Sequence, residues 1–183
     1  MLFPYQTAAI TLGGVPVPRS NSFVSPVNAT NTGFETAGRD YFIAFVPKCD
    51  IEIDEIQLFR KGGTAGACYA GIYDKDGILI TDAPVQSVAG TDEWKGVAIT
   101  PITLSAGELY YWCANVNGDH FNGISALGTY IFDSPSDYGP NSRPYTNRWY
   151  ETRSHGPLRS SVDFNSSPWG GTSFGPAFRF VTV

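Results

Sequence analysis

From Tyr41 onward the chain breaks into short apolar runs separated by turn-forming residues. Tyr41 to Val46 is continuously apolar and ends at Pro47. Ile51 and Ile53 then alternate with Glu52 and Asp54, while Ile56 and Leu58 continue in the opposite parity. Side chains alternate between the two faces of a strand, so this switch predicts a bulge or bend near Asp54–Glu55. A helix over Lys48 to Lys61, the longest stretch without Gly or Pro, would carry a poor apolar stripe, and strand is the better reading. Ala67 to Tyr73 and Ile78 to Ile80 flank Asp74-Lys75-Asp76-Gly77, whose residues tolerate positive φ, and together they read as a hairpin. Further strands are expected at Trp94–Thr100, Leu109–Val116, Thr129–Phe132 and Phe178–Val183. The run Leu109-Tyr110-Tyr111-Trp112-Cys113-Ala114 is apolar or aromatic in both parities, as befits a central strand covered on both sides. The fold class expected is all-β, an antiparallel, jelly-roll-like β-sandwich.

The first 34 residues differ. Pro4, Pro16, Pro18 and Pro26 and a Ser/Asn/Thr-rich run from Ser20 to Thr32 oppose regular structure, yet Leu2, Phe3, Tyr5, Ile10, Leu12 and Phe23 are too apolar for a solvated tail. Residues 1–34 are therefore either an extended N-terminal arm lying on a neighbouring subunit or an irregular first strand, ahead of a single β-sandwich domain at 35–183. The opening residues lack a basic region before their apolar stretch and do not form a signal peptide.

Composition narrows the functional classes. The 20 glycines and 13 prolines suit short strands and tight turns, and a 42% apolar content is enough for a core. Seventeen acids against twelve Lys and Arg give a net charge of −5, which disfavours a nucleic-acid partner. No apolar run is long enough to insert in a membrane as a helix. Cys49, Cys68 and Cys113 are odd in number and lack CxxC spacing, which points to structural thiols in a chain made in a reducing cytoplasm.

The order of motifs Tyr41-Phe42-Ile43-Ala44-Phe45-Val46-Pro47, Ile51-Glu52-Ile53-Asp54-Glu55-Ile56, Ala70-Gly71-Ile72-Tyr73-Asp74 and Leu104-Ser105-Ala106-Gly107-Glu108-Leu109-Tyr110-Tyr111-Trp112 resembles a β-sandwich domain of tailed-phage virion proteins of the tail fibre, minor tail or head-decoration type. The resemblance spans roughly residues 40 to 118, with an echo in Pro176 to Val181, and does not extend to 119–175. It implies a virion location, a structural role, self-association (a trimer is our expectation) and contacts with other virion proteins or a host surface glycan. It brings no catalytic or cofactor-binding residues.

Candidate chemistry is thin. Asp74-x-Asp76-Gly77 begins like a calcium loop, but Ile78 and Val85 stand where such a loop needs oxygen ligands, so a turn is expected. Asp50, Glu52, Asp54 and Glu55 could pair carboxylates for acid–base work, although alternation with isoleucine suggests a charged, solvent-facing sheet edge. His120 and His155 lie in no nucleophile or zinc pattern. No catalytic residue, metal site or cofactor is expected. The exception in texture is 141–159, NSRPYTNRWYETRSHGPLR, which holds four of the eight arginines and a single acid, Glu151. Arg143, Tyr145, Arg148, Trp149, Tyr150 and Arg153 offer stacking faces and forked donors suited to a partner or glycan. The alternative is a long loop whose arginines pair with the domain's own carboxylates. At the level of function, a virion component competes with a carbohydrate-binding module or lectin, and more distantly with a polysaccharide-degrading enzyme.

Overall fold

A computed structural model describes residues 10–12, 15–17, 23–24, 28–34, 38–60, 67–86, 93–116, 122–125, 132–133, 148–165, 169–171 and 178–183. In chain order the strands are β1 (Ile10–Leu12), β2 (Val15–Val17), β3 (Phe23–Val24), β4 (Asn28–Phe34) and β5 (Arg39–Pro47). They continue with β6 (Ile51–Arg60), β7 (Ala67–Asp74), β8 (Leu79–Gln86), β9 (Glu93–Leu104) and β10 (Tyr110–Val116). The last are β11 (Asn122–Ser125), β12 (Phe132–Asp133), β13 (Arg148–Thr152), β14 (Gly170–Gly171) and β15 (Phe178–Thr182). The larger sheet has the order β14-β13-β5-β10-β7-β8, with β12 added alongside β5, and the smaller sheet has the order β3-β15-β6-β9. Every pairing is antiparallel, and the two sheets form a β-sandwich, as the periodicity predicts.

The strand β10 sits between β5 and β7 and is buried at all seven positions. Its even-numbered residues Tyr110, Trp112, Ala114 and Val116 join Ile43, Phe45, Ile51, Ile53, Ile56, Leu58, Phe178 and Phe180 in the core between the sheets. Trp112, opposite Ile43 and Ile72, stacks on Phe178 across that core with ring centres 4.1 Å apart. Tyr111 and Cys113 point the other way, with Phe42, Ala44, Tyr73 and Trp149. Among the described residues, that second face is covered by residues 153–165, here called the strap, together with Trp169.

The anticipated bulge is present. Both pairings of β6 shift register between Ile53 and Glu55, which lets Ile51, Ile53, Ile56 and Leu58 all face inward. The β7–β8 hairpin also forms. Asp74 Oδ1 accepts the N–H groups of Asp76 and Ile78, both at 2.9 Å, and Gly77 takes φ of +77°. One expectation needs correction: the acidic run is not at a sheet edge, because β6 lies between β15 and β9. Glu52, Asp54 and Glu55 lie away from the buried isoleucines of the same strand. Asp50 anchors the turn before β10 by accepting the Ala106 N–H at 2.8 Å. In the N-terminal region, β3 pairs with β15, placing Phe23–Val24 in the smaller sheet. At the expected Thr129–Phe132 strand only Phe132 lies within the described residues, and it pairs with Pro47.

Trp112→Ala removes the largest side chain common to both sheets, and we expect it to lower unfolding free energy by about 3–5 kcal/mol in urea titrations. A loss under about 1 kcal/mol would show that the inter-sheet core does not depend on this stack.

Candidate functional site

The strap leaves the end of β13 and crosses the second face of the larger sheet. Arg153 N–H donates to Gly38 O at 2.9 Å, and Gly156 N–H donates to Asn115 Oδ1 at 3.0 Å. Leu158 then drops onto Gly71 of β7. A Cβ at position 71 would stand 2.5 Å from Thr81 O and 2.7 Å from Leu158 Cδ1, so only glycine leaves room there. Beyond it, Leu79 N–H donates to Ser160 O at 2.9 Å and Val162 N–H donates to Gly77 O at 2.8 Å, tying the strap to the hairpin.

Beneath its first half lies the chain's main buried charge cluster among the described residues. Asp40, in β5, is 0% exposed and stands directly opposite Asn115 of β10. Asn115 Nδ2 donates to Asp40 Oδ1 at 2.6 Å. The Arg153 guanidinium lies 3.5 Å from Oδ1, and that of Arg159 lies 3.6 Å from Oδ2. Arg159 also bonds the Glu151 carboxylate, and Arg153 bonds Pro157 O. Tyr73 OH donates to Arg159 O at 2.8 Å, fixing the same strap residue from β7.

Burial raises the Asp40 carboxyl above its ordinary value; the Asn115 hydrogen bond, Arg153 and Arg159 oppose the rise, and Glu151 adds to it. All three cysteines are buried, and burial raises each thiol. A protonated, desolvated thiol packs as a small hydrophobe and makes a poor nucleophile. His155 is lowered by burial and then by Arg153, and its ring lies 5.3 Å from that of Tyr69. Among the described residues, no three His, Cys, Asp or Glu side chains converge as they would around a metal ion. No helix among the described residues is long and apolar enough to cross a membrane.

Of the residues anticipated as a recognition surface, Arg143 and Tyr145 lie outside the described residues. Arg148 pairs through its backbone with Ile43. Trp149, opposite Phe42, is 0% exposed and stacks on that ring at 6.1 Å, with Tyr111 edge-on at 5.6 Å. Its indole therefore presents no stacking face to a partner. Tyr150 is half-buried: the Arg39 guanidinium sits 3.9 Å over its ring, and Gly170 packs against the same ring. Arg153 and Arg159 bond the domain's own carboxylates and carbonyls.

Asp40, Asn115, Tyr73 and Arg159 are the site residues that the sequence reading does not single out. The available signal is a lone polar residue within each of two apolar strands, Asp40 before Tyr41–Val46 and Asn115 after Tyr110–Ala114. No protein-family model matches the chain, and no curated protein sequence matches it.

Two consequences are measurable. Trp149→Ala should cost about 3–5 kcal/mol of stability, the range for emptying a large aromatic site in a core, and unchanged melting would mean the indole is not packed as described. Asp40 yields a pH signature. Its folded pKa lies above the ordinary value of 3.8, so the folded state holds that proton more tightly than the unfolded chain. Acidification from neutral pH through the folded pKa should therefore add stability, until both states are protonated below 3.8. Asp40→Asn removes this term, so any stability advantage of the variant should be greatest at neutral pH and shrink toward pH 4. An advantage that grows on acidification would show that the fold prefers the ionised carboxylate.

Proposed function

We propose that this chain is a non-enzymatic structural component of a phage particle, of the capsid-decoration, head-fibre, tail-fibre or baseplate type, assembling with copies of itself and with other virion proteins. One observation carries the reading. The segments that resemble virion sandwich domains fold as β5, β6, β7 and β10, and three of these are hydrogen-bonded neighbours at the centre of the larger sheet. The resemblance thus falls on the framework of the fold.

The disposition of charge agrees with a structural role. Asp40, Glu151, Arg153 and Arg159 are engaged with one another in holding the strap, and the thiols are buried and protonated. A carbohydrate-binding module is the second reading and is less favoured. It needs open aromatic faces, whereas Trp149 is enclosed and Tyr150 is stacked by Arg39.

Sedimentation equilibrium of the purified full chain at micromolar concentration should give a homo-oligomer, with three chain masses expected. A clean monomer would count against assembly through this chain alone. Genes for portal, capsid or tape-measure proteins beside its own gene would support the virion reading, and a glycoside-hydrolase operon there would overturn it.

A further inference from the structure

The two layers that cover the larger sheet are not equally well satisfied. Six buried polar side-chain atoms among the described residues make no hydrogen bond within the protein: Trp112 Nε1, Trp149 Nε1, His155 Nδ1, Arg159 Nε, Trp169 Nε1 and Asp40 Oδ2, the last facing the Arg159 guanidinium at 3.6 Å. Only Trp112 belongs to the core between the sheets. The other five lie in the seam beneath the strap and Trp169. A polar atom removed from water without a partner costs free energy that is recovered when water returns. The penalty is therefore concentrated in one seam and nearly absent from the other.

The strap's apolar cover of the sheet comes from Leu158, Val162 and Phe164, with the Phe164 ring packed against Phe42, Tyr111 and Trp149, while Ser154, Pro157, Ser160, Ser161, Asp163 and Asn165 are exposed. Its hold on the middle of the sheet depends on Arg159, whose guanidinium meets both Asp40 and Glu151 and whose carbonyl accepts the Tyr73 hydroxyl. A cover held by a few apolar side chains, with unsatisfied polar atoms along its seam, belongs to the segments of a fold that can open below the global unfolding free energy.

We propose that residues 153–165 lift from the sheet as a unit while the inner sandwich stays folded, giving the protein an open form in which Tyr111 and the Cys113 thiol meet solvent. Arg159 is the latch of this movement.

The native cysteines report on it directly. Cys113 lies under the strap and Cys68 lies in the core between the sheets, and both are 0% exposed when the strap is closed. The full chain is treated with a maleimide in a urea series below the unfolding transition, and labelling at each cysteine is followed by peptide mass spectrometry. Rates are divided by those of the same thiols in the unfolded chain, which removes differences in intrinsic reactivity. Cys113 should label at least about tenfold faster than Cys68, which corresponds to an opening roughly 1.4 kcal/mol below global unfolding. The gap should close as urea nears the transition. Arg159→Gln breaks contacts that the open and the unfolded form both lack, so it should raise the Cys113 rate several-fold and the Cys68 rate by a similar factor, preserving the gap between them. One common rate for both thiols at every urea concentration in the unmodified chain would overturn the proposal, as would an unchanged Cys113 rate in Arg159→Gln. The comparison within the unmodified chain decides the matter even if the variant fails to fold.

Discussion

Burial of the larger sheet on both faces is the constraint from which the rest of the architecture follows. A strand reading Tyr-Tyr-Trp-Cys-Ala-Asn-Val has no side that water tolerates, so β10 and its neighbours β5 and β7 must be covered twice. The smaller sheet supplies one cover by ordinary sheet-on-sheet packing. The other cover has to come from chain that makes no sheet of its own, and such a segment brings backbone polar groups with it. The contacts from Arg153 to Gly38, from Gly156 to Asn115 and from Val162 to Gly77 satisfy some of those groups at places where the sheet has spare acceptors.

The buried charges belong to the same problem. Asp40 and its two arginines contribute little net stability by themselves, since desolvation offsets much of the attraction between buried ions. Their value is positional. With Asn115 bonding Asp40, Gly156 and, more weakly, Ser154 O, the cluster defines where the strap crosses the sheet. Apolar contact alone would allow the strap to slide along a broad aromatic face. A set of directional partners at fixed residues allows one crossing.

What the sequence made legible were the features set by local pattern. The two-faced apolarity of Tyr110–Val116, the parity switch around Asp54 and the Asp74–Gly77 turn each depend on residues a few positions apart, and each appears as expected. What stayed hidden depends on partners far along the chain. Asp40 and Asn115 are ordinary polar residues until β5 and β10 are placed side by side in one register. Trp149 sits among arginines and tyrosines and resembles a surface anchor, but the pairing of β13 with β5 sets it over Phe42. The acidic alternation in β6 likewise predicts which side faces out, and cannot tell that β15 occupies its other flank. The strap, with its three serines and a Gly-Pro pair, has no periodicity from which its role could be read.

The close approach at Gly71 sets unequal freedoms for the two residues that meet there. Shortening Leu158 would relieve only one of its obstacles, because Thr81 O belongs to the backbone of β8 and cannot be trimmed by substitution. In a set of diverging copies, position 158 is therefore open to exchange among residues that fill the hollow, whereas position 71 stays glycine whatever its neighbour becomes. The two sites would then show no covariation despite being in direct contact, and a method that infers proximity from paired changes would overlook the point where the strap rests on the sheet.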